Sequence, residues 1–91
     1  MSIEVRIPTI LRQHTGGEKK VSADAATVDE LFTNLDTQHT GLRERVITAD
    51  GKLHRFVNVY VNDEDIRFTG GLDTPLKDGD NVTILPAVAG G

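Results

Sequence analysis

Several residue types are absent from the sequence or rare in it. It contains no cysteine and no tryptophan, and only one tyrosine and three phenylalanines. The missing cysteine excludes disulfide bonds, thiolate metal sites and a cysteine nucleophile. Since the chain has 91 residues, it is expected to form one small domain with a modest core of aliphatic side chains.

Long apolar segments are also missing. No run approaches the length of a membrane span, and the first residues do not have the basic-then-apolar pattern of a signal sequence. The sequence therefore predicts a cytoplasmic protein with no membrane association.

An excess of positive charge is the third absence. The formal net charge is −4, and residues 1–55 are balanced, with eight Lys or Arg against eight Asp or Glu. Residues 56–91 hold two basic residues against six acidic ones. This distribution argues against nucleic acid as a partner, because nucleic-acid binding needs clustered positive charge. The acidic second part indicates either a basic partner surface or simply a solvated face.

Residues able to perform catalysis are not arranged in any recognisable pattern. His14, His39 and His54 lack the spacing of metal ligands. The glycine pairs at 16–17 and 70–71 match no phosphate-binding motif and indicate turns. We therefore predict no catalytic residue, no metal and no bound cofactor, and the chain is not expected to be an enzyme.

Apolar periodicity in the first half predicts two strands and one helix. Residues 2–7 alternate between apolar and polar side chains, and a second strand is expected around residues 18–22 after a turn at residues 15–17. Thr27 and Glu30 form a capping box at the start of a helix. The apolar stripe of that helix consists of Val28, Leu31, Phe32 and Leu35. The helix is predicted to end at Gly41, and a further short turn is expected over residues 42–47.

The second half predicts three more strands, at residues 52–61, 65–68 and 81–85. The order is thus β-β-α-β-β-β, and pairing the last strand parallel to the first in the middle of the sheet completes a β-grasp. The predicted fold class is α+β, ubiquitin-like, with one mixed sheet packed on one main helix. The domain is expected to cover residues 1–86.

The chain ends in Pro86, Ala87, Val88, Ala89, Gly90 and Gly91. Glycine has no Cβ, so the terminal carboxylate is sterically accessible and its backbone is free to adopt many conformations. Residues 87–91 are therefore predicted to form a flexible diglycine tail, slim and uncharged enough to enter a narrow channel of another protein. Activation as an acyl-adenylate would turn the poorly electrophilic carboxylate into a reactive group.

With this strand order and the ending "VTILPAVAGG", the chain resembles the ThiS/MoaD family of sulfur-carrier proteins. The resemblance covers the whole chain. The segments "KLHRFVNVYVNDEDIRF" and "ILPAVAGG" are most similar to the CysO branch, whose members serve cysteine biosynthesis.

The resemblance implies a mechanism and a set of partners. An E1-like enzyme that uses ATP would adenylate the carboxylate of Gly91, which a sulfur donor then converts to a thiocarboxylate. Val88, Ala89 and Gly90 would form the arm that threads into the enzyme. The acceptor would be a PLP-dependent cysteine synthase or another sulfur-accepting synthase, and a zinc metalloprotease of the JAMM type would release the product. Thiamine, molybdopterin and thiosugar pathways use similar carriers.

A surface patch for these partners is expected on the open face of the sheet. If Val57, Val59 and Val61 lie under the helix, the alternating side chains must point the other way. The proposed patch consists of Phe56, Tyr60, Leu85 and Pro86, with acidic residues around it that steer the partner.

An alternative function uses the same activation step. In a ubiquitin-like modifier, Gly91 would be joined to lysine amines of target proteins. A third hypothesis is a plain interaction domain whose tail has no function. The close likeness to the carriers favours the first hypothesis.

Overall fold

A computed structural model describes residues 2–86 of the chain. Met1 and residues 87–91 lie outside the described residues, so the predictions for Val88, Ala89, Gly90 and Gly91 fall outside them as well. The strands are β1 (Ser2–Arg6), β2 (Lys20–Asp24), β3 (Val57–Val61), β4 (Glu64–Asp65) and β5 (Asn81–Pro86). The helices are α1 (Val28–Gln38) and α2 (Leu42–Val46), and short 3-10 helices cover Thr9–His14, Ile66–Phe68 and Gly71–Asp73.

The five strands form one mixed sheet in the order β2-β1-β5-β3-β4. The last strand lies in the middle, parallel to β1 with Val5 opposite Val82, and antiparallel to β3 with Val59 opposite Ile84. Both hairpins, β1–β2 and β3–β4, are antiparallel. This arrangement confirms the predicted ubiquitin-like fold and the parallel pairing of the first and last strands.

Helix α1 begins where the capping box predicts. The Thr27 hydroxyl accepts a hydrogen bond from the Glu30 amide at 3.2 Å, and Glu30 Oε1 accepts one from the Ala26 amide at 2.8 Å. The four residues of the predicted apolar stripe are fully buried. They pack on the valines and isoleucines that β1, β3 and β5 direct to the same side, forming one aliphatic core around Phe32.

Several element boundaries differ from the sequence predictions. Strand β2 begins at Lys20, two residues later than expected. Strand β3 begins at Val57 rather than Lys52, because residues 48–52 close a turn in which the Thr48 amide donates to the Lys52 carbonyl at 2.7 Å. The His54 amide then donates to the Val46 carbonyl at 2.9 Å, which ties this segment to α2 instead of to the sheet.

The predicted strand at residues 65–68 is mostly a 3-10 turn. Strand β4 ends at Asp65, whose side chain caps the turn by accepting a hydrogen bond from the Arg67 amide at 2.9 Å. Ile66 is fully buried, so the chain bends there to place that side chain in the core.

Candidate functional site

The chain leaves the sheet at the end of β5, and the described structure fixes that point. Pro86, the last described residue, lies opposite Val57 at the beginning of β3. Strand β5 pairs with β1 as far as Thr83 and with β3 as far as Pro86, so β3 holds the end of the strand. We call this end of the sheet the exit end.

Strand β5 is anchored along its length. Val82 and Ile84 are buried in the core, with at most 1% of their surface exposed. At its beginning, the Asn81 amide donates to Asn62 Oδ1 at 3.0 Å. A pull on the tail would therefore be resisted by packing and by hydrogen bonds on both edges of the strand.

Two of the predicted patch residues lie on the open face of the sheet. Tyr60 is opposite Thr83 and Leu85 is opposite Asn58. Tyr60 and Leu85 are thus diagonal neighbours on adjacent strands, at a typical separation of about 7–8 Å. Leu85 is 45% exposed, although its strand lies in the middle of the sheet. Pro86 is also exposed, beside Leu85.

Phe56 lies elsewhere than predicted. It precedes β3, is 58% exposed, and lines a groove of about 250 Å³ at the exit end together with Ile10, His14, His54 and Val57. Ile10, from the 3-10 helix that follows β1, is 55% exposed. We call this groove the exit groove. The four predicted patch residues therefore divide between the open face and the exit groove, which meet at the end of β5.

Arg67 was not anticipated from the sequence, yet it lies directly beside the exit. Its Nη2 donates to the Val57 carbonyl at 3.1 Å, and its Nη1 donates to the Asn58 side-chain oxygen. The same Nη1 is 3.4 Å from Asp65 Oδ2. Phe68, one residue later, is 86% exposed. The sequence predicts residues 65–68 as a strand, and a strand would not bring Arg67 and Phe68 to these positions.

Acidic residues lie beside only part of the predicted patch. Asp65 is opposite Tyr60, whereas four others lie further away. Asp63 and Glu64 lie at the β3–β4 turn, while Asp78 and Asp80 lie in the turn before β5. Both turns are at the opposite end of the sheet from Pro86. We call this opposite end the anchor end.

Hydrogen bonding at the anchor end explains these carboxylates. Asp80 Oδ1 accepts from the Asn62 side chain at 3.0 Å, and Asp80 Oδ2 accepts from the Lys77 amide at 2.8 Å. These two bonds, that of Asn62 first, lower the pKa of the Asp80 carboxyl below its ordinary value. Asp78 Oδ1 accepts from the Ser2 amide at 2.7 Å. Their role is to close the turn that starts β5.

Neither a candidate metal-binding cluster nor a membrane-spanning helix is found among residues 2–86. Within residues 2–86, no group of three or more His, Asp or Glu side chains is arranged to hold a metal ion. His14 and His54 both line the exit groove, where His54 Nε2 lies 3.2 Å from the Glu44 carbonyl oxygen. Over the same residues, no helix has the length and apolar character needed to cross a membrane.

Both the sequence and the fold match known proteins. The family model described as "ThiS family" matches residues 5–91. A sulfur carrier protein CysO from Mycobacterium tuberculosis is 58% identical over 93 residues, covering 100% of both chains. That relative is named as a carrier and not as an enzyme, in agreement with the prediction made for this chain.

Two further relatives bear on the fold and on the alternative function. A solved structure of a BexX/CysO complex from Amycolatopsis orientalis matches with a TM-score of 0.92 and 60% identity, covering 98% of this chain and 99% of that chain. A small archaeal modifier protein 3 from Haloferax volcanii is 35% identical over the full length of both chains. The match of the family model over nearly the whole chain, together with these identities, shows that the chain belongs to the ThiS family of sulfur carriers.

Proposed function

We propose that this protein carries sulfur as a thiocarboxylate on Gly91 and delivers it in biosynthesis, most directly of cysteine. The observation that carries the proposal is the 58% identity to a sulfur carrier protein CysO over the full length of both chains. The family match runs to Gly91, so it includes the diglycine end.

The first chemical step is activation of the Gly91 carboxylate by an E1-like enzyme. A carboxylate oxygen attacks the α-phosphorus of ATP, pyrophosphate leaves, and an acyl-adenylate forms. A sulfur nucleophile then attacks the acyl carbon and displaces AMP, which leaves a C–S bond on Gly91. The carrier itself contributes no acid, base or metal to these steps. ATP is used by the partner enzyme, and the carrier binds no cofactor.

The body of the protein contributes position. Strand β5 is held in the sheet as far as Pro86, and residues 88–90 have small or short side chains that fit a narrow channel. Leu85 and Pro86 on one side and Phe56 on the other offer exposed apolar contacts to the enzyme that receives the tail.

Delivery would require a second set of partners. A PLP-dependent cysteine synthase would accept the sulfur onto an activated serine derivative, and a zinc metalloprotease of the JAMM type would cleave the resulting adduct from the tail. The relative from Amycolatopsis orientalis was solved together with BexX, which supports direct docking of a partner protein on a carrier of this shape. We place the exchange in the cytoplasm, where ATP and these enzymes are found.

Conjugation to proteins is the second candidate function. One observation supports it, the 35% identity to a small archaeal modifier protein, while the 58% identity to a sulfur carrier favours the first function. Both functions begin with the same acyl-adenylate and differ in the nucleophile, which is sulfur in one case and a lysine amine in the other.

Intact mass spectrometry separates the two candidates. The full chain is incubated with its E1-like enzyme, ATP and sodium sulfide, and the same chain without Gly91 is the control. The proposal predicts the mass increase of one oxygen-to-sulfur exchange on the full chain and none on the control. Covalent attachment to lysines of other proteins, without that exchange, would instead establish the modifier.

A further inference from the structure

Charge is sorted between the two ends of the sheet, although the sequence alone places its negative excess next to the tail. The anchor end holds acidic side chains from turns and strand ends. Lys77 lies among them, and Arg6 lines a groove with Asn62 and Asp63. These acidic residues are Asp24, Asp63, Glu64, Asp78 and Asp80.

The exit end is basic. Arg67 donates to the carbonyl of Val57, the residue opposite Pro86. Arg45 lines the exit groove with Phe56 and Val57, and Arg55 is exposed two residues before β3 begins. A second groove on the β1 side is lined by Arg6, Ile7, Arg12, Lys19 and Lys20.

Acidic residues at the exit end are fewer, and Asp65 is already bound by Arg67. Glu18 and Glu44 are exposed, and Glu44 lines the exit groove beside Arg45. Glu4, opposite Asn81 towards the anchor end, lies 3.0 Å from Lys20 Nζ. Positive charge therefore dominates the surface around the point where the tail departs, on a protein whose formal net charge is −4.

The exit groove gives this basic surface an apolar centre. Its walls are the 3-10 helix after β1, part of α2 and the segment before β3. Val57, which also lines it, is opposite Pro86, so the groove lies beside the end of β5. Ile10 and Phe56 are both more than half exposed, and a buried apolar anchor surrounded by charge is typical of protein interfaces.

We propose that the exit end docks on an acidic rim around the channel through which a partner enzyme receives the tail. This inference rests on the proposed function and names the chemistry of that partner. An apolar side chain of the enzyme would enter the exit groove between Ile10 and Phe56. Aspartate or glutamate side chains around it would face Arg45 and Arg55 on one side and Lys19 on the other.

Charge sorting also orients the approach. An acidic rim repels the anchor end and attracts the exit end, so the carrier arrives with its tail towards the channel. Complementary charge of this kind acts mainly on the association rate and is weakened by salt. Nucleic acid is a poorer occupant, because Glu18 and Glu44 interrupt the basic surface and the net charge is negative.

Two charge reversals of equal size test the proposal. Arg55→Glu changes the exit end and Lys77→Glu changes the anchor end, and each takes the formal charge from −4 to about −6. Both side chains are exposed. The measured quantity is kcat/KM for loading Gly91 by the E1-like enzyme with ATP, at low and at high salt, with urea unfolding to verify the fold.

The proposal predicts that Arg55→Glu lowers kcat/KM about tenfold at low salt and much less at high salt, while Lys77→Glu stays within about twofold of wild type. Equal losses in both variants would show a dependence on net charge alone and would overturn it. A faster reaction for Arg55→Glu would overturn it as well, since that result requires a basic partner. Inhibition of loading by duplex DNA that Arg55→Glu relieves would instead assign the surface to nucleic acid.

Failure of this inference is distinguishable from failure of the proposed function. If wild-type protein never gains sulfur at any enzyme concentration, the function itself is wrong. If wild-type protein is loaded and the two reversals behave alike, the carrier role stands and only the acidic rim is rejected.

Discussion

The two ends of the central strand are built differently. Where β5 begins, side chains of Asn62, Asp78 and Asp80 bond to backbone and to each other, so the turn is closed and its polar groups are satisfied. Where β5 finishes, Leu85, Pro86 and the nearby Phe56 leave apolar surface open to solvent. Side-chain hydrogen bonds close the turn at the anchor end, whereas apolar side chains at the exit end remain open to contact.

Adjacent positions on β5 provide the sharpest test of this division. Ile84→Ala removes a side chain that is 1% exposed, and we expect it to lower the free energy of unfolding by about 2–5 kcal/mol. Leu85→Ala, one residue later and 45% exposed, should cost less than about 1 kcal/mol but slow Gly91 loading. Urea unfolding and loading rates measured on both variants check this. Equal destabilisation by the two changes would contradict the division.

At the anchor end, Asn62→Ala should affect stability and leave loading unchanged. Asn62 adopts a left-handed φ of 49° and makes side-chain hydrogen bonds to Asp80 and to the Asn81 amide. Loss of these bonds and the cost of placing alanine in that conformation predict a decrease of about 1–3 kcal/mol in the free energy of unfolding. Glycine at this position retains the backbone freedom and is the matched control. A loading rate that falls in folded Asn62→Ala protein would show that the anchor end takes part in docking.

At the exit end, Phe56→Ala and Tyr60→Ala should slow loading without unfolding the domain. Truncation of a contacting aromatic side chain is expected to cost about 1–2 kcal/mol of binding, or on the order of tenfold in kcat/KM. Thr33→Ala, on the exposed side of α1, is the control surface change. If loading stays at the wild-type rate with both aromatic residues replaced, the patch takes no part in docking.

The smallest expected effect is a dependence of stability on pH at the anchor end. Hydrogen bonds from Asn62 and from the Lys77 amide lower the pKa of Asp80 in the folded state. Stability from Asp80 is therefore present above the unfolded pKa, about 3.9, and is lost as the pH falls through the lower folded pKa.

Urea midpoints at pH 7 and near pH 2.5 measure this effect. Asp80→Asn should lower the midpoint slightly at pH 7, and the difference from wild type should shrink in acid. Asp73→Asn, at an exposed aspartate outside this turn, is the control for the removal of one surface carboxylate. A difference for Asp80→Asn that grew as the pH fell would contradict the assignment.

Much of the fold followed from local patterns. The capping box at Thr27 and Glu30, the apolar stripe of α1 and the alternation of Val57, Val59 and Val61 each encode an element and the face that it buries. The central position of β5 followed from pairing the only strand without a hairpin partner to the first strand.

Features that depend on contacts distant in sequence were not predictable. The sequence predicts residues 52–56 as strand, but the hydrogen bond from the His54 amide to the Val46 carbonyl holds them against α2. That displacement moves Phe56 into the exit groove, beside Ile10, a residue with no signal of its own. The separation of acidic and basic ends is likewise a property of the folded chain, because the turns that carry Asp63 and Asp80 are brought together only by the sheet.

The central claim is that the working group is the terminal carboxylate of Gly91, presented by a body that holds β5 in place. Addition of a single alanine after Gly91 tests it directly, because the body is unchanged and only the position of the carboxylate moves. Intact mass after reaction with the E1-like enzyme, ATP and sulfide should show full conversion of the wild type and none of the extended chain. Conversion of the extended chain at the wild-type rate would contradict the account.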